Sequence, residues 1–389
     1  MGPLSNIKVL DLSRILAGPW ATQVLADFGA TVWKIERPNG GDDTRHWGPP
    51  FLKNSAGEDT HESAYYLSAN RGKQSLALDI SNPQHQHIIH QLIAQADIVV
   101  ENFKVGGLAK YQLDYPSAKQ TNPKIIYCSI TGFGQTGPDA TAAGYDAMIQ
   151  ARGGLMGVTG DSERSQKAGV AVADLMTAMY SVSSILAALH HRNQTGEGQH
   201  IDLALLDTQV AWLANQNMNY LIGGEVPQRH GTAHPNIVPY QSFVTKDGEL
   251  MLAVGNDRQF KACVIVLGQP ELGDDPRFLT NHLRVENRAV LLPLLCQLFI
   301  RQTSDHWLNA LAEVQVPCGP INNLAEVFAD PQVQHRNMLF ELEHPLAGQV
   351  PMVANPVKFS QTPIEYHKAP PVLGADTEAV LQALGIKGP

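Results

Sequence analysis

Ile7-Lys8-Val9-Leu10-Asp11-Leu12, then the helical stretch from Pro19 to Phe28, then Thr31-Val32-Trp33-Lys34-Ile35-Glu36 decide the fold: strand, helix, strand. Outward from this unit the same alternation continues. Ser75 to Ile80 reads as a strand, Pro83 to Ala96 as a helix, Asp97 to Glu101 as a strand and Lys124 to Ile130 as another. Strands separated by helical patterns predict a parallel sheet covered on both faces, because each crossover must lie over the sheet. Two long helices follow, Asp174 to His191, closed by Thr195-Gly196-Glu197-Gly198, and Leu205 to Ile222, closed by Gly223-Gly224.

The character then changes. From Gly231 to about Asn323 the chain shows a Gly/Pro-rich loop, a hairpin around Lys246-Asp247-Gly248, and amphipathic helices at Arg258 to Leu267, Glu286 to Gln302 and Ser304 to Val314. We read residues 1–222 as a large α/β domain, 223–328 as a smaller α+β domain, and 329–389 as a proline-rich tail returning to the first, with a last helix at Thr377 to Leu384. A chain of 389 residues suits two domains. Hydrophobic content of 43%, 17% charged residues and a net charge of -9 fit a cytoplasmic enzyme and argue against a nucleic-acid partner. No basic stretch leads into an apolar run at the N-terminus, and no eighteen apolar residues run uninterrupted, so neither secretion nor a membrane span is expected. The four cysteines, Cys128, Cys263, Cys296 and Cys318, form no C-x-x-C pair, which speaks for a reducing compartment and against a thiolate zinc site.

Several motifs fail their context. Gly132-Phe133-Gly134-Gln135-Thr136-Gly137 matches G-x-G-x-x-G after a strand, but Pro138 and Asp139 follow where a helix should open, so a dinucleotide is not expected there. His85, His87 and His90, and the pair His190 and His191, read as solvated helix faces: there is no H-E-x-x-H and no acidic or thiolate element at ligand spacing, hence no metal. No G-x-S-x-G elbow is present, which removes serine hydrolysis.

Gly169-Val170-Ala171-Val172-Ala173-Asp174-Leu175 differs, since one carboxylate stands among small residues where a helix begins. Asp174 is either an N-cap or an accessible ionised nucleophile; helix-end physics favours both.

Val9-Leu10-Asp11-Leu12-Ser13-Arg14, Leu16-Ala17-Gly18-Pro19, Lys34-Ile35-Glu36-Arg37-Pro38, Gly41-Asp42 and Val100-Glu101-Asn102-Phe103 together resemble the class III CoA-transferases. Gly132-Phe133-Gly134, Gly144-Tyr145-Asp146, the Gly169 to Asp174 motif and Thr195-Gly196-Glu197-Gly198-Gln199 carry the resemblance onward. It implies a Rossmann-like large domain built from both chain ends, a small domain, an obligate interlocked homodimer, and Asp174 as nucleophile. It further implies coenzyme A or acyl-CoA as substrate rather than a tightly bound cofactor, met by Ile15, Leu16, Ala17, Arg37, Leu78, Asn102, Phe103, Lys110, Tyr111 and Tyr145. Leu16 stands where formyl-CoA transferase has a glutamine, and Ser81 and Ala143 where it has lysines, which argues against formate and oxalate.

Gly231-Thr232-Ala233-His234-Pro235-Asn236, Thr280 to Arg288 and Gly319-Pro320-Ile321-Asn322-Asn323 are similar to the branch that moves CoA from succinyl-CoA to glutarate and related dicarboxylates. A dicarboxylate acceptor needs partners for its second carboxylate. His234 and Arg284, from those loops, and Arg45 are the candidates. Two rival readings are an α-methylacyl-CoA racemase, whose histidine is replaced here by Tyr145, and a non-catalytic acyl-CoA-binding protein.

Overall fold

The computed structural model describes residues 1–388. Its larger unit comprises residues 1–155, 168–223 and 331–388. The unit contains β1 (Lys8–Asp11), α1 (Ala17–Asp27), β2 (Thr31–Glu36), β3 (Lys73–Ala77), α2 (Pro83–Gln95), β4 (Ile98–Glu101), β5 (Ile126–Thr131), α3 (Asp146–Arg152), α4 (Val172–Thr195) and β6 (His200–Ala204). The six strands form one all-parallel sheet in the order β3-β2-β1-β4-β5-β6. That is the strand order of a doubly wound Rossmann-type sheet. The chain is therefore a mixed α/β protein around a parallel sheet.

Alternation along the strands divides the core. Val9, Val100, Cys128 and Ile130 face α1 and α4, while Leu10, Val99 and Tyr127 face the Ile88, Ile89, Leu92 and Ile93 stripe of α2. Helix α4 is long and apolar enough to cross a membrane by length and composition, yet Ala178, Val182, Ile185 and Leu189 bury one face of it in this core. Gly196, in the left-handed region at φ 81°, closes it.

The tail finishes the sheet. After a hairpin of Leu339–His344 with Gly348–Val353, the chain runs to α-helix Thr377–Ala383, which buries Val380 and Leu381 against the α2 side. The Asp376 carboxylate accepts from Ser75 N–H at 2.9 Å and the Thr377 hydroxyl from Ala77 N–H at 3.0 Å, so the outward donors of edge strand β3 are taken.

The smaller unit, residues 156–167 and 224–330, has an antiparallel sheet of β7 (Tyr240–Val244), β8 (Glu249–Ala253) and β9 (Cys318–Pro320) in the order β9-β8-β7. Four helices, Asp257–Val266, Asn281–Glu286, Arg288–Phe299 and Ser304–Glu313, close over Phe243, Phe260, Phe278, Phe299 and Trp307. Residues 156–167 fold with this unit, an excursion that the change of character near residue 223 does not announce.

Two expected helices are each split. Leu205 to Ile222 becomes α5 (Leu205–Trp212) and α6 (Asn215–Gly223), with Ala214 left-handed at φ 46° between them and the Asn217 amide donating to Val210 O at 2.6 Å. Asparagine side chains compete for backbone partners, and this run has three of them, Asn215, Asn217 and Asn219. Glu286 to Gln302 instead begins at Arg288, because Asn287 turns its amide back to Leu283 O at 2.9 Å and ends the preceding helix.

Candidate active site

In an open parallel sheet a ligand settles beyond the carboxyl ends of the strands where successive connections leave in opposite directions. Here that point lies between β1 and β4. The turn after β1 is held unusually firmly. Asn102, just after β4, donates to Arg14 O at 2.7 Å and accepts from Arg14 N–H at 2.9 Å. Ile15 is left-handed at φ 72°, a conformation that costs a β-branched residue on the order of 1–3 kcal/mol. Its N–H donates to the Asp42 carboxylate at 3.2 Å.

Asp42 in turn accepts from Thr44 N–H at 3.0 Å and from the buried Lys34 ammonium at 2.9 Å. Burial works to raise the Asp42 pKa, but the Lys34 charge and the Thr44 donors outweigh it and hold the group at about 2. Below, Asp11 accepts from Ser13, Thr22 and Lys73. Gly18 lies against the Ser13 side chain so closely that a Cβ there would collide with it. A strained turn braced by buried charge thus presents the first turn of α1.

Asp174 stands in the first turn of α4. It is not the cap: the N-cap is Ala171, which has no capping group. The capping carboxylate arrives from α3, where Asp146 accepts from Ala173 N–H at 2.8 Å and Asp174 N–H at 3.4 Å. Gln150, one turn along, donates to Asp146 at 2.7 Å and accepts from Ala168 N–H at 2.8 Å, fastening the incoming loop. With capping done by Asp146, the Asp174 carboxylate is left to the cleft. Burial first, and the Asp146 charge second, push its pKa up to about 7. The same surroundings hold the Tyr65 hydroxyl at about 12, by burial and then by Asp174 and Asp146, so it remains a neutral donor.

Asp174 opens into a cleft of about 440 Å³. Of the residues expected to meet CoA, Ile15, Leu16, Ala17, Asn102, Phe103, Lys110, Tyr111 and Tyr145 line this cleft. Arg37 and Leu78 line a second cleft of about 300 Å³, which shares Phe103 and Tyr111 with the first. The structure therefore brings together residues that are far apart in the chain. Gly132 and Gly144 also line the first cleft, packed backbone to backbone; a Cβ on Gly132 would sit 2.6 Å from Gly144 Cα. The first glycine of the G-x-G-x-x-G match thus serves contact with the Gly144-Tyr145-Asp146 segment. Among the described residues no group of three or more His, Cys, Asp or Glu gathers as a metal would require.

Two of the three acceptor candidates are corrected. Arg45 is 3% exposed and fully engaged: it donates to Glu36, to Glu62 at 2.7 Å, to the Tyr66 hydroxyl at 2.6 Å and to Pro371 O at 3.0 Å. It anchors the turn carrying Asp42 and Asp43. Arg284, 0% exposed, donates to Val238 O, Phe278 O and Asp257, and so ties a loop of the smaller unit together. Arg45 has no donor left for a ligand, and Arg284 is wholly buried among its partners. His234, in the smaller unit, accepts from Asn236 N–H at Nδ1, 3.0 Å away, and burial and Arg288 lower its pKa; a neutral ring there carries its proton on Nε2.

Arg14, Asp42, Asp146 and Gln150 were not singled out from sequence. The available signal was their place inside the quoted motifs and the i, i+4 spacing of Asp146 and Gln150.

Comparison with known proteins matches this arrangement to others. The chain is 51% identical to the succinate–glutarate CoA-transferase of Agrobacterium fabrum, over 98% of this chain and 96% of that protein. It is 45% identical to the succinyl-CoA:glutarate CoA-transferase of Homo sapiens, over 98% of this chain and 85% of that protein. Among solved structures, a CAIB/BAIF family protein from Brucella suis superposes with a TM-score of 0.86 at 48% identity, covering 98% of this chain and 99% of that one. The model of CoA-transferase family III matches residues 4–377, and with relatives this similar along nearly the whole length the chain belongs to that family and is a CoA-transferring enzyme.

Proposed function

We propose that this enzyme moves CoA from succinyl-CoA to glutarate or a closely related dicarboxylate, with Asp174 as covalent carrier. The observation that carries the mechanism is an Asp174 carboxylate relieved of capping duty and opening into a cleft beyond the β1 and β4 ends. The acceptor rests on the activities of the relatives at 51% and 45% identity.

Ionised Asp174 attacks the thioester carbonyl, and the C–S bond breaks to give an aspartyl–succinyl anhydride and CoA thiolate. The thiolate attacks the aspartyl carbonyl, releasing succinate and leaving an aspartyl-CoA thioester. The acceptor carboxylate attacks that thioester, releasing thiolate, which then attacks the acceptor carbonyl of the new anhydride and frees Asp174. No net proton moves. First-turn N–H groups of α1, at Ala17 and Gly18, supply donors for developing oxyanions. Ile15, Leu16, Ala17, Asn102, Phe103, Lys110, Tyr111 and Tyr145, with Arg37 and Leu78 next door, form the CoA-binding surface in this reading. His234 is carried forward as a neutral donor for the acceptor's distal carboxylate.

Proton exchange at an α-carbon would want imidazole where Tyr145 stands, and a phenol is a poor substitute near neutral pH. An interlocked homodimer belongs to the proposal as well. Val210, Trp212, Met218, Tyr220, Leu221 and Ile222 on α5 and α6 are exposed, and the amide of Gln209 is buried without a partner among the described residues. A second copy would cover such a surface, and light scattering on the purified protein reads it directly. Four free thiols fit a cytoplasmic location.

Hydroxylamine trapping tests the route. During turnover with succinyl-CoA, mass spectrometry is expected to find a hydroxamate on Asp174; turnover continuing with Asp174 unmodified would end the covalent proposal.

A further inference from the structure

Arg14 occupies a place that the CoA-binding surface above leaves without a role. It sits between β1 and α1, in the turn where this strand order sets the diphosphate of a nucleotide ligand. It lines both clefts, the one with Asp174 and the one with Arg37. A CoA thioester whose reacting carbon lies at Asp174 and whose nucleotide lies beside Arg37 must carry its diphosphate across the boundary between the clefts.

The chemistry at that boundary suits an anion. Arg14 Nη1 donates to one oxygen of Asp43 at 2.7 Å, and Arg37 Nη2 to the other at 2.9 Å. Two guanidinium groups sharing one carboxylate leave a net positive charge. Arg14 Nε is buried and has no acceptor among the described residues. The arginine is also preorganised: Asn102 clamps its backbone on both sides, and its guanidinium lies 5.6 Å from the Phe103 ring centroid. The ion pairs themselves are partly exposed, with side-chain exposures of 38% for Arg14 and 32% for Asp43, so exchanging the carboxylate for a stronger anion costs little.

We infer that Arg14 binds the diphosphate of CoA and that Asp43 holds the place of that anion until the ligand arrives, an inference resting on the CoA-transferase reading. A guanidinium fork meets phosphate oxygens in pairs, which Asp43, shared with Arg37, does not allow it now.

The experiment compares the full-length wild type with Arg14→Gln, Arg14→Lys and Asp43→Asn. Donors are succinyl-CoA, succinyl-3′-dephospho-CoA and succinyl-pantetheine, and thermal melts check folding. Arg14→Gln is expected to raise KM about tenfold or more for the first two donors alike and to leave succinyl-pantetheine unchanged, because that pair carries the diphosphate and the adenosine they also share offers a guanidinium no anion. Arg14→Lys should recover part of the loss, and Asp43→Asn should lower KM for both nucleotide donors. A loss confined to succinyl-CoA assigns Arg14 to the 3′-phosphate and overturns the inference. An equal loss for all three donors assigns it a structural role and also overturns it, as does no loss at all. A wild type that turns over none of the donors would sink the succinyl-CoA donor reading on which the inference rests, which keeps the two failures apart.

Discussion

A carboxylate that must attack has to be ionised, and Asp174 sits at about 7 because burial and Asp146 oppose its charge. In the free enzyme kcat/KM is expected to fall about tenfold per pH unit below 7 and to level off above it, as a rate profile would show. Asp146→Asn removes the second cause and should move that midpoint down, while its amide oxygen can still cap α4 and the bond from Gln150 is lost. Because the folded pKa lies above the ordinary carboxylate value of 3.8, ionisation opposes folding progressively as pH rises from 3.8 to 7. Asp174→Asn should therefore abolish turnover yet raise Tm at pH 8, with little gain near pH 4; a mutant equally or less stable at pH 8 would contradict the burial argument. The sequence showed the carboxylate at a helix start but could not show what capped that helix, since the cap comes from a different helix.

At the scale of elements, the β1–α1 turn and the Gly132–Gly144 contact set the cleft. Ile15→Gly should relieve the left-handed strain without unfolding the protein, yet raise KM for the acyl-CoA because the turn loses its rigidity. Gly132→Ala forces two backbone segments apart and should cost about 1–3 kcal/mol, read as a fall in Tm. Periodicity made the alternating strands and helices legible from Ile7 to Ile130, because both faces of this sheet are buried and its strands are apolar runs. It missed the short hairpin of Phe51–Lys53 with Asp59–Ser63, whose exposed and polar positions carry no such pattern, and it ran two helices through the asparagines that end them. Arg45 and Arg284 looked like ligand-binding cations because a sequence lists charges without their partners.

On the scale of the whole chain, the tail is part of the sheet. Removing residues from 373 onward should uncover the donors of β3 and the apolar contacts of Val380 and Leu381, giving a protein that aggregates on expression. Static light scattering would show it. The exposed apolar residues of α5 and α6 predict a dimer that Leu221→Asp with Met218→Asp would weaken, seen as a shift to lower mass at the same concentration.

The tie between residues 75–77 and 376–377 also has a consequence for birth on the ribosome. The strand that needs protection emerges early, and the segment that protects it emerges only after every residue of the smaller unit. Until then the nascent sheet keeps one sticky border, so its closure waits on the separation of 301 residues from Ser75 to Asp376 and the growing chain is a natural client for chaperones.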